Sequence, residues 1–223
     1  MEVKIIQTGS KGNASILTDI AGNQLLIDAG LKYERIAKHI YDFGKLTVAI
    51  THGHGDHALC ADRFVGLCKV VAVGNTKEKQ IVQAGVWNIM PLSVPHGDCT
   101  CYAYLIVNNL ERKKIFWATD LTALPRLAAA DSYDLFAIEC NYETDLAIEA
   151  ALRGEKGSKG YQNHMSVETL REWFGNLESR PKNLCLLHLS NSGLINRDDL
   201  PMLFRGFCRS HFYIGDKNCT FRI

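Results

Sequence analysis

The sequence predicts an α/β fold in which two β-sheets are covered by helices. Short β-rich runs alternate with amphipathic segments, many of these runs end in a polar residue, and no linker divides the chain. The chain has 223 residues, of which 47% are hydrophobic, and this is enough for one sizeable core. We therefore expect a single domain over residues 1–223.

The predicted elements begin with an antiparallel meander of three strands, EVKIIQ, ASILT and QLLIDAG, separated by the turns GSKGN and AGN. Helices are predicted over residues 33–43 and 58–69, on either side of the buried strand LTVAI. Further strands are predicted at VVAV, VWNIM, CYAYLIV, KIFWATD, DLFAIEC and NLCLLH, and a helix over 167–176 has Ser166 as its N-cap. The glycine-containing segment 152–161 is expected to be a mobile loop that shapes a pocket or reaches a neighbouring subunit.

Composition excludes several classes of protein. No apolar run approaches the roughly 18 residues that span a bilayer, and the first residues lack the features of a signal peptide, so we expect a cytosolic protein without membrane contact. The eight cysteines contain no CxxC pair and are expected to be free thiols. With 25 Lys and Arg against 24 Asp and Glu, the net charge of +1 does not demand a long polyanion as partner.

The segment THGHGDH carries most of the chemical information. His52, His54, Asp56 and His57 directly follow a β-branched strand, and imidazole and carboxylate together suit a borderline metal such as zinc. In extended backbone His52 and His54 face the same side, while the glycines allow Asp56 and His57 to turn towards a second position. Two adjacent metal ions are therefore expected.

Further ligands are expected at other strand ends. His96 lies in SVPHGD, Asp120 in FWATD and His188 in CLLHLS. Each of these residues alone is equally compatible with an ordinary core or surface role, and together they would complete a site for two metals.

These residues resemble the metallo-β-lactamase superfamily, whose HxHxDH motif is matched by His52, His54, Asp56 and His57. GSKGNAS and LLIDAG match its early turn and its strand that ends in Asp-Ala-Gly, so the resemblance covers nearly the whole chain. It implies an αββα sandwich. It also implies one metal on His52, His54 and His96, another on Asp56, His57 and His188, and Asp120 between the two.

Three stretches resemble the phosphodiesterase branch that includes tRNase Z, the YycJ/WalJ group and the phage anti-Pycsar enzymes. They are AIECNY with Glu139, NHMS with His164 and HLS with His188. Since the ligands for two metals are complete without His164, this side chain is expected to protonate the leaving group, with Glu139 orienting its ring. Asp56 is expected to share a proton with the attacking water. The alternative for His164 is a role in capping the helix that begins after Ser166.

The expected substrate is a 3′,5′-cyclic mononucleotide, cyclic CMP or UMP first and cyclic AMP or GMP second, as in phage evasion of Pycsar immunity. The chain has no insertion long enough for a tRNA-binding arm, and its basic residues are dispersed. The alternatives are a YycJ/WalJ-type 5′ exonuclease on single-stranded DNA or RNA, and a metal-stabilised module without catalysis. A β-lactamase or thioesterase would leave Glu139 and His164 without a role.

The remaining expectations concern contacts and partners. Ser10, Lys11, Asn13, Ser190 and Asn191 could contact phosphate, although turn formation explains them equally well. Zinc is the expected metal, with manganese or iron as alternatives. The resemblance implies a homodimer.

Overall fold

The computed structural model describes residues 1–127, 129–155 and 160–223. Most of the predicted mobile loop is described, but its residues 156–159 lie outside the described part of the chain. The strands in chain order are β1 Glu2–Gln7, β2 Ala14–Thr18, β3 Gln24–Ile27, β4 Leu46–Ile50, β5 Lys69–Ala72, β6 Val82–Ala84, β7 Trp87–His96, β8 Cys99–Asn108, β9 Lys113–Ala118, β10 Leu135–Glu139, β11 Asn183–Leu187, β12 His211–Ile214 and β13 Cys219–Arg222.

The strands form two mixed sheets. The first has the order β13-β1-β2-β3-β4-β5, and the second has the order β12-β11-β10-β9-β8-β7-β6. In the first sheet β1, β2 and β3 form the predicted antiparallel meander, and β4 and β5 continue it in parallel. In the second sheet β9, β10, β11 and β12 are parallel, so their carboxyl ends lie at one edge.

The α-helices lie between the strands in chain order. They are α1 Tyr33–Ala37, α2 Gly55–Ala58, α3 Thr144–Leu152, α4 Val167–Gly175 and α5 Leu200–Leu203. The side chain of Ser166 accepts a hydrogen bond from the backbone N–H of Thr169, which confirms the predicted N-cap of α4.

Three hydrophobic clusters define the layers. The middle cluster fills the space between the sheets with side chains such as Trp87, Tyr104 and Trp117. A second cluster packs α4 and α5 onto the outer face of the second sheet, and a third packs α1 and Phe64 onto the outer face of the first. Helix, sheet, sheet and helix therefore stack in the predicted αββα order.

Two predicted helices are much shorter than expected. Of residues 58–69, only Ala58 at the end of α2 and the 3-10 turn Ala61–Phe64 are helical, because the backbone of Cys60 leaves the helical region and that of Val65 is extended. Residues 33–43 are α-helical only as far as Ala37, and Phe43 begins a separate 3-10 turn. The backbone N–H of Tyr41 donates to the side chain of Gln24, which leads the chain away from the helix.

Two predictions from composition can be compared with the structure. All eight cysteines are free thiols, as predicted. None of the helices in the described ranges combines the length and the apolar character that a membrane crossing requires.

Candidate metal centre

Strand ends from both sheets meet at one edge of the sandwich. The segment Thr51 to His57 follows β4 in the first sheet. The second sheet contributes His96 at the end of β7, Asp120 after β9, Glu139 at the end of β10 and His188 after β11. The residues that the sequence singled out from separate strands are thus brought together.

One group consists of His52, His54 and His96. The ring centroids of His52 and His54 are 4.6 Å apart, and the His96 ring lies 5.0 Å and 5.2 Å from them. His52 and His96 are buried, whereas His54 is exposed. One nitrogen from each ring can be chosen so that all three lie within 4.8 Å of one another, which suits a single divalent ion.

The second group consists of Asp56, His57, Asp120 and His188, whose ligand atoms also lie within 4.8 Å of one another. A third set that meets the same criterion, Asp120, Glu139, His164 and His188, shares two residues with the second group. Asp120 stands between the two groups. Its Oδ2 contacts Nε2 of His57 and lies 3.6 Å from Nε2 of His52, and its Oδ1 lies 3.1 Å from Nε2 of His188. A carboxylate in this position can contact ions on both sides.

Most of the histidine rings are held through Nδ1. Nδ1 of His57 donates to Asp28 at 2.7 Å, that of His188 to Glu139 at 3.1 Å, and that of His96 to the backbone carbonyl of Asn163 at 3.1 Å. A histidine that binds a metal commonly donates its other N–H in this way. Nε2 of each ring is therefore left pointing into the centre.

Two buried atoms support the metal assignment. Oδ1 of Asp120 and Nε2 of His188 lie 3.1 Å apart, but neither forms a well-directed hydrogen bond with any of the described residues. Buried polar atoms without hydrogen bonds are costly, and a cation contacting both would satisfy them. The donor set of imidazole nitrogens and carboxylate oxygens fits zinc or a similar divalent ion.

His164 lies beside the second group and is bound to Glu139. Its Nδ1 is 2.6 Å from Oε1 of Glu139, and its ring stacks on His188 at a centroid distance of 5.0 Å. Glu139 is completely buried, and its other oxygen accepts the backbone N–H of Leu121 at 2.9 Å. Since Nδ1 is engaged, Nε2 is the nitrogen of His164 that remains for a substrate.

The charges of this cluster shift several pKa values. Burial lowers the pKa of His164, but its interactions with the carboxylates of Asp120 and Glu139 outweigh it and raise the value to about 10. For Glu139, burial raises the pKa, and the hydrogen bonds from His164 and His188 bring it below its usual value. Burial and the neighbouring His57 lower the pKa of His52 to about 3. His164 is therefore protonated and His52 neutral at pH 7.

His57 and His188 have raised pKa values for the same reason. Burial favours the neutral ring of His57, but the carboxylates of Asp28 and Asp120 outweigh it and raise the pKa well above the usual value. For His188 the opposing charges are those of Asp120 and Glu139. The shifts favour the protonated form of both rings without a metal, and a metal would displace such protons.

Comparison with known proteins assigns the family. A model of the metallo-beta-lactamase superfamily matches residues 8–123, which is more than half of the chain. The chain belongs to this superfamily. The predicted family and the αββα sandwich are thereby confirmed.

Solved structures with the metallo-beta-lactamase fold superpose on nearly the whole chain. YhfI from Bacillus subtilis has a TM-score of 0.72 at 17% identity, covering 99% of this chain and 98% of that chain. A diphosphatase of the PhnP family has a TM-score of 0.68 at 12% identity, with coverage of 100% and 97%. The short form of human tRNase Z has a TM-score of 0.58 at 13% identity, with coverage of 100% and 99%.

One curated relative matches over part of its sequence. An uncharacterized protein of Aquifex aeolicus (strain VF5) is 29% identical over 90 residues, which are 40% of this chain and 43% of that protein. The chain thus spans less than half the length of this relative.

The structure places the predicted phosphate-contacting residues in two different environments. Ser10, Lys11, Ser190 and Asn191 line a polar cavity of about 350 Å³ together with His164 and His188. Asn13 is buried elsewhere, and its side chain binds Gly9 and the backbone carbonyl of Asp56 and lies 2.7 Å from Nε2 of His57. This placement makes Asn13 a support for the metal-binding segment, in contrast to the predicted phosphate contact.

Two glycines allow the metallo-beta-lactamase motif to pack against the early turn. A Cβ on Gly30 would lie 1.6 Å from the carbonyl oxygen of Asp56, and a Cβ on Gly12 would lie 2.4 Å from the carbonyl oxygen of Gly30. Only glycine permits such close approach of backbone to backbone. The backbone N–H of Asn13 consequently reaches the carbonyl of Asp56 at 2.7 Å.

Sequence reasoning did not assign roles to Asp28, Thr51 and Asn163. Asp28 accepts both the backbone N–H and the hydroxyl of Thr51, at 2.8 Å and 2.9 Å, in addition to His57. The available signal was an Asp directly after the apolar run 25–27. No comparable signal exists for Asn163, because its backbone carbonyl is the group that contacts His96.

Proposed function

We propose that this chain is a metal-dependent phosphodiesterase that hydrolyses 3′,5′-cyclic mononucleotides. The observation that carries the proposal is the hydrogen-bonded pair of His164 and Glu139 beside the two groups of candidate metal ligands. Such a pair is useful when a poor leaving group must be protonated, as in a phosphodiester with an alkoxide leaving group. A diphosphatase and a tRNase among the structures with this fold lend support to an activity on phosphate groups.

The proposed ligand sets are those expected from the sequence. One ion would be held by His52, His54 and His96, and the other by Asp56, His57 and His188, with Asp120 between them. Divalent ions at these positions, zinc first and manganese or iron as alternatives, would polarise the phosphoryl group and neutralise charge that develops during displacement at phosphorus.

The proton transfers are assigned to residues of the chain. His164 carries a proton at neutral pH and would donate it from Nε2 to the leaving oxygen. Glu139 holds Nδ1, and its negative charge favours the protonated ring. Asp56 is half-buried near Nε2 of His57, at 3.8 Å, and would accept a proton from the attacking water.

The size of the polar cavity is consistent with a small substrate. Its volume of about 350 Å³ falls within the range of roughly 300–1,000 Å³ that is typical of small-molecule sites. Lys11 supplies a positive charge there, and Ser10 and Ser190 supply hydroxyls, which suits a sugar and a phosphate.

The decisive experiment is to incubate the metal-loaded protein with cyclic CMP, UMP, AMP and GMP beside short single-stranded DNA and RNA. Turnover of the cyclic nucleotides supports the proposal. Turnover of the polymers alone would overturn it in favour of the exonuclease. No turnover of any substrate would favour the metal-stabilised module without catalysis.

Replacing His164 tests the proton donor directly. His164→Ala is expected to lower kcat on a cyclic nucleotide by about 10²–10⁴-fold, because its leaving alkoxide needs a proton. On bis(4-nitrophenyl) phosphate, whose leaving group is a stable anion, the loss should be less than about tenfold. Equal losses on both substrates, measured by steady-state kinetics, would contradict the assignment.

A 5′ exonuclease is the second candidate, favoured by basic side chains near the polar cavity. Arg35 donates to the side chain of Gln7 at 2.7 Å, and Gln7 donates to the backbone carbonyl of Lys11 at 2.7 Å. Lys11 lines the cavity, and Arg35 is connected through Gln7 to the Lys11 backbone, so the two cations could contact successive phosphates of a single strand. Lys11→Ala combined with Arg35→Ala should then weaken polymer cleavage more than cleavage of a cyclic nucleotide.

The biological setting is a further part of the proposal. Hydrolysis of cyclic CMP or UMP would remove the signal on which Pycsar immunity depends, as the resemblance to phage enzymes implies. The cytosolic location and the homodimer stay predictions. Size-exclusion chromatography with light scattering would test the dimer, and a monomeric mass would contradict it.

A further inference from the structure

A second cavity, of about 610 Å³, adjoins the metal centre at His52 and Gly53. It shares no lining residue with the polar cavity that contains His164. The two cavities therefore contact different ligand groups, the first group through His52 and the second through His188.

The walls of this second cavity are mostly apolar. Ala58, Ala61 and Val65 come from the segment after the metal-binding motif, and Val70 and Val73 come from β5 and the residue after it. These side chains are half-buried or exposed, although they are apolar. Apolar walls next to a reaction centre are the usual environment for a flat organic ring.

The charges around this cavity are unsuited to a phosphate. Of the described residues that line it, none is Lys or Arg, and Asp62 and Asp98 contribute two carboxylates. Carboxylates repel phosphate but accept hydrogen bonds from N–H groups. The polar cavity has the opposite character, because Lys11 and several hydroxyl groups line it.

We infer that the second cavity binds the nucleobase of the substrate, while the leaving oxygen faces His164. The inference rests on the proposed function, and it assigns the substrate class as a phosphodiester that carries a nucleoside. The apolar walls take the faces of the base, and the carboxylates accept hydrogen bonds from its edge. A methyl ester or another diester without a base would leave this cavity empty.

Filling the cavity tests the inference with two substrates that share a leaving group. These are thymidine 5′-(4-nitrophenyl) phosphate and methyl 4-nitrophenyl phosphate, which differ only in the presence of the nucleoside. Ala61→Phe should lower kcat/KM for the nucleoside ester by about tenfold or more and change that for the methyl ester by less than about twofold. An equal effect on the two esters, or no effect on either, would overturn the inference.

A binding experiment without metal gives a second readout. Val65 is 69% exposed and lines the cavity, whereas Leu67 on the same segment is 52% exposed and is not among the lining residues. Because both side chains are exposed, Val65→Asp and Leu67→Asp should both fold. Val65→Asp should weaken cytidine binding to the metal-free protein, followed by saturation-transfer NMR, by about tenfold, and Leu67→Asp should leave it unchanged.

The two experiments separate the possible failures. If the wild type hydrolyses neither ester, the proposed function fails, and cytidine binding still tests the cavity. If the wild type hydrolyses both esters but cytidine binding is the same in Val65→Asp and Leu67→Asp, the cavity assignment fails and the phosphodiesterase proposal stands.

Discussion

Three residues at the centre have a strained backbone. Asp28, Asp120 and His188 adopt positive φ values of 62°, 54° and 55°, although none is glycine. Such conformations cost of order 1–3 kcal/mol each and persist only where surrounding contacts hold them. Each of these residues lies just after a strand and turns its side chain towards the metal ligands. The strained backbone is therefore found at residues whose side chains must point into the metal centre.

The raised pKa values of His57 and His188 predict proton release on metal binding. The raised pKa values favour the protonated form of both rings in the metal-free protein, and a metal binds only the neutral ring. Loading at neutral pH should therefore release protons. Apparent affinity should therefore fall as the pH drops further below these pKa values.

Isothermal titration calorimetry in two buffers of different ionisation enthalpy measures this proton release. His164→Ala serves as a control, because His164 is not among the proposed ligands and the variant should release a similar number. The absence of proton release in the wild type would contradict the assignment of His57 and His188.

At the scale of elements, the metal-binding motif depends on a glycine outside it. Gly30 follows β3, and its missing Cβ allows the backbone of Asp56 to pack against it. By contrast, nothing lies within 4 Å of a Cβ added at Gly55, which is inside the motif and has no positive φ.

Gly30→Ala should therefore be worse than Gly55→Ala. The added methyl at position 30 forces the backbone of Asp56 away, which should cost about 1–3 kcal/mol of stability and lower metal affinity by about tenfold or more. Gly55→Ala should change stability by no more than about 0.5 kcal/mol. Denaturant unfolding and metal titration measure both effects, and equal behaviour of the two variants would contradict the packing argument.

Part of this centre could be predicted because some of its residues are recognisable from the local sequence alone. His52, His54, Asp56 and His57 are contiguous, and His188 follows an apolar strand directly. The helix predicted over residues 58–69 was wrong because its apolar periodicity resembles that of a helix, whereas Cys60 leaves the helical region and Val65 is extended. The support of His96 by a backbone carbonyl could not be predicted, since it depends on how distant loops meet.

At the scale of the whole molecule, the metal centre links the two sheets. His52, Asp56 and His57 follow a strand of the first sheet, whereas His96, Asp120 and His188 belong to strand ends of the second. Ions bound between them would connect the layers in addition to the apolar core. Metal binding and folding are expected to be coupled for this reason.

Removing the metal should lower thermal stability. At a free metal concentration of about 100 times Kd, binding contributes about 2.7 kcal/mol, so chelation should lower Tm by about 5–10 °C. Differential scanning calorimetry with and without chelator measures the shift. His52→Ala with His188→Ala should remove most of the response, and an undiminished response would place the metal elsewhere.

The parallel order of β9, β10 and β11 has a consequence for how such proteins can diversify. Asp120, Glu139 and His188 stand at the ends of neighbouring strands, whose separation of about 4.8 Å is set by backbone hydrogen bonds. A substitution at one of these three positions exchanges one functional group for another, while the distance between neighbouring strands stays the same. New reactivity can therefore arise on this scaffold by single replacements, without a change in the backbone that holds them.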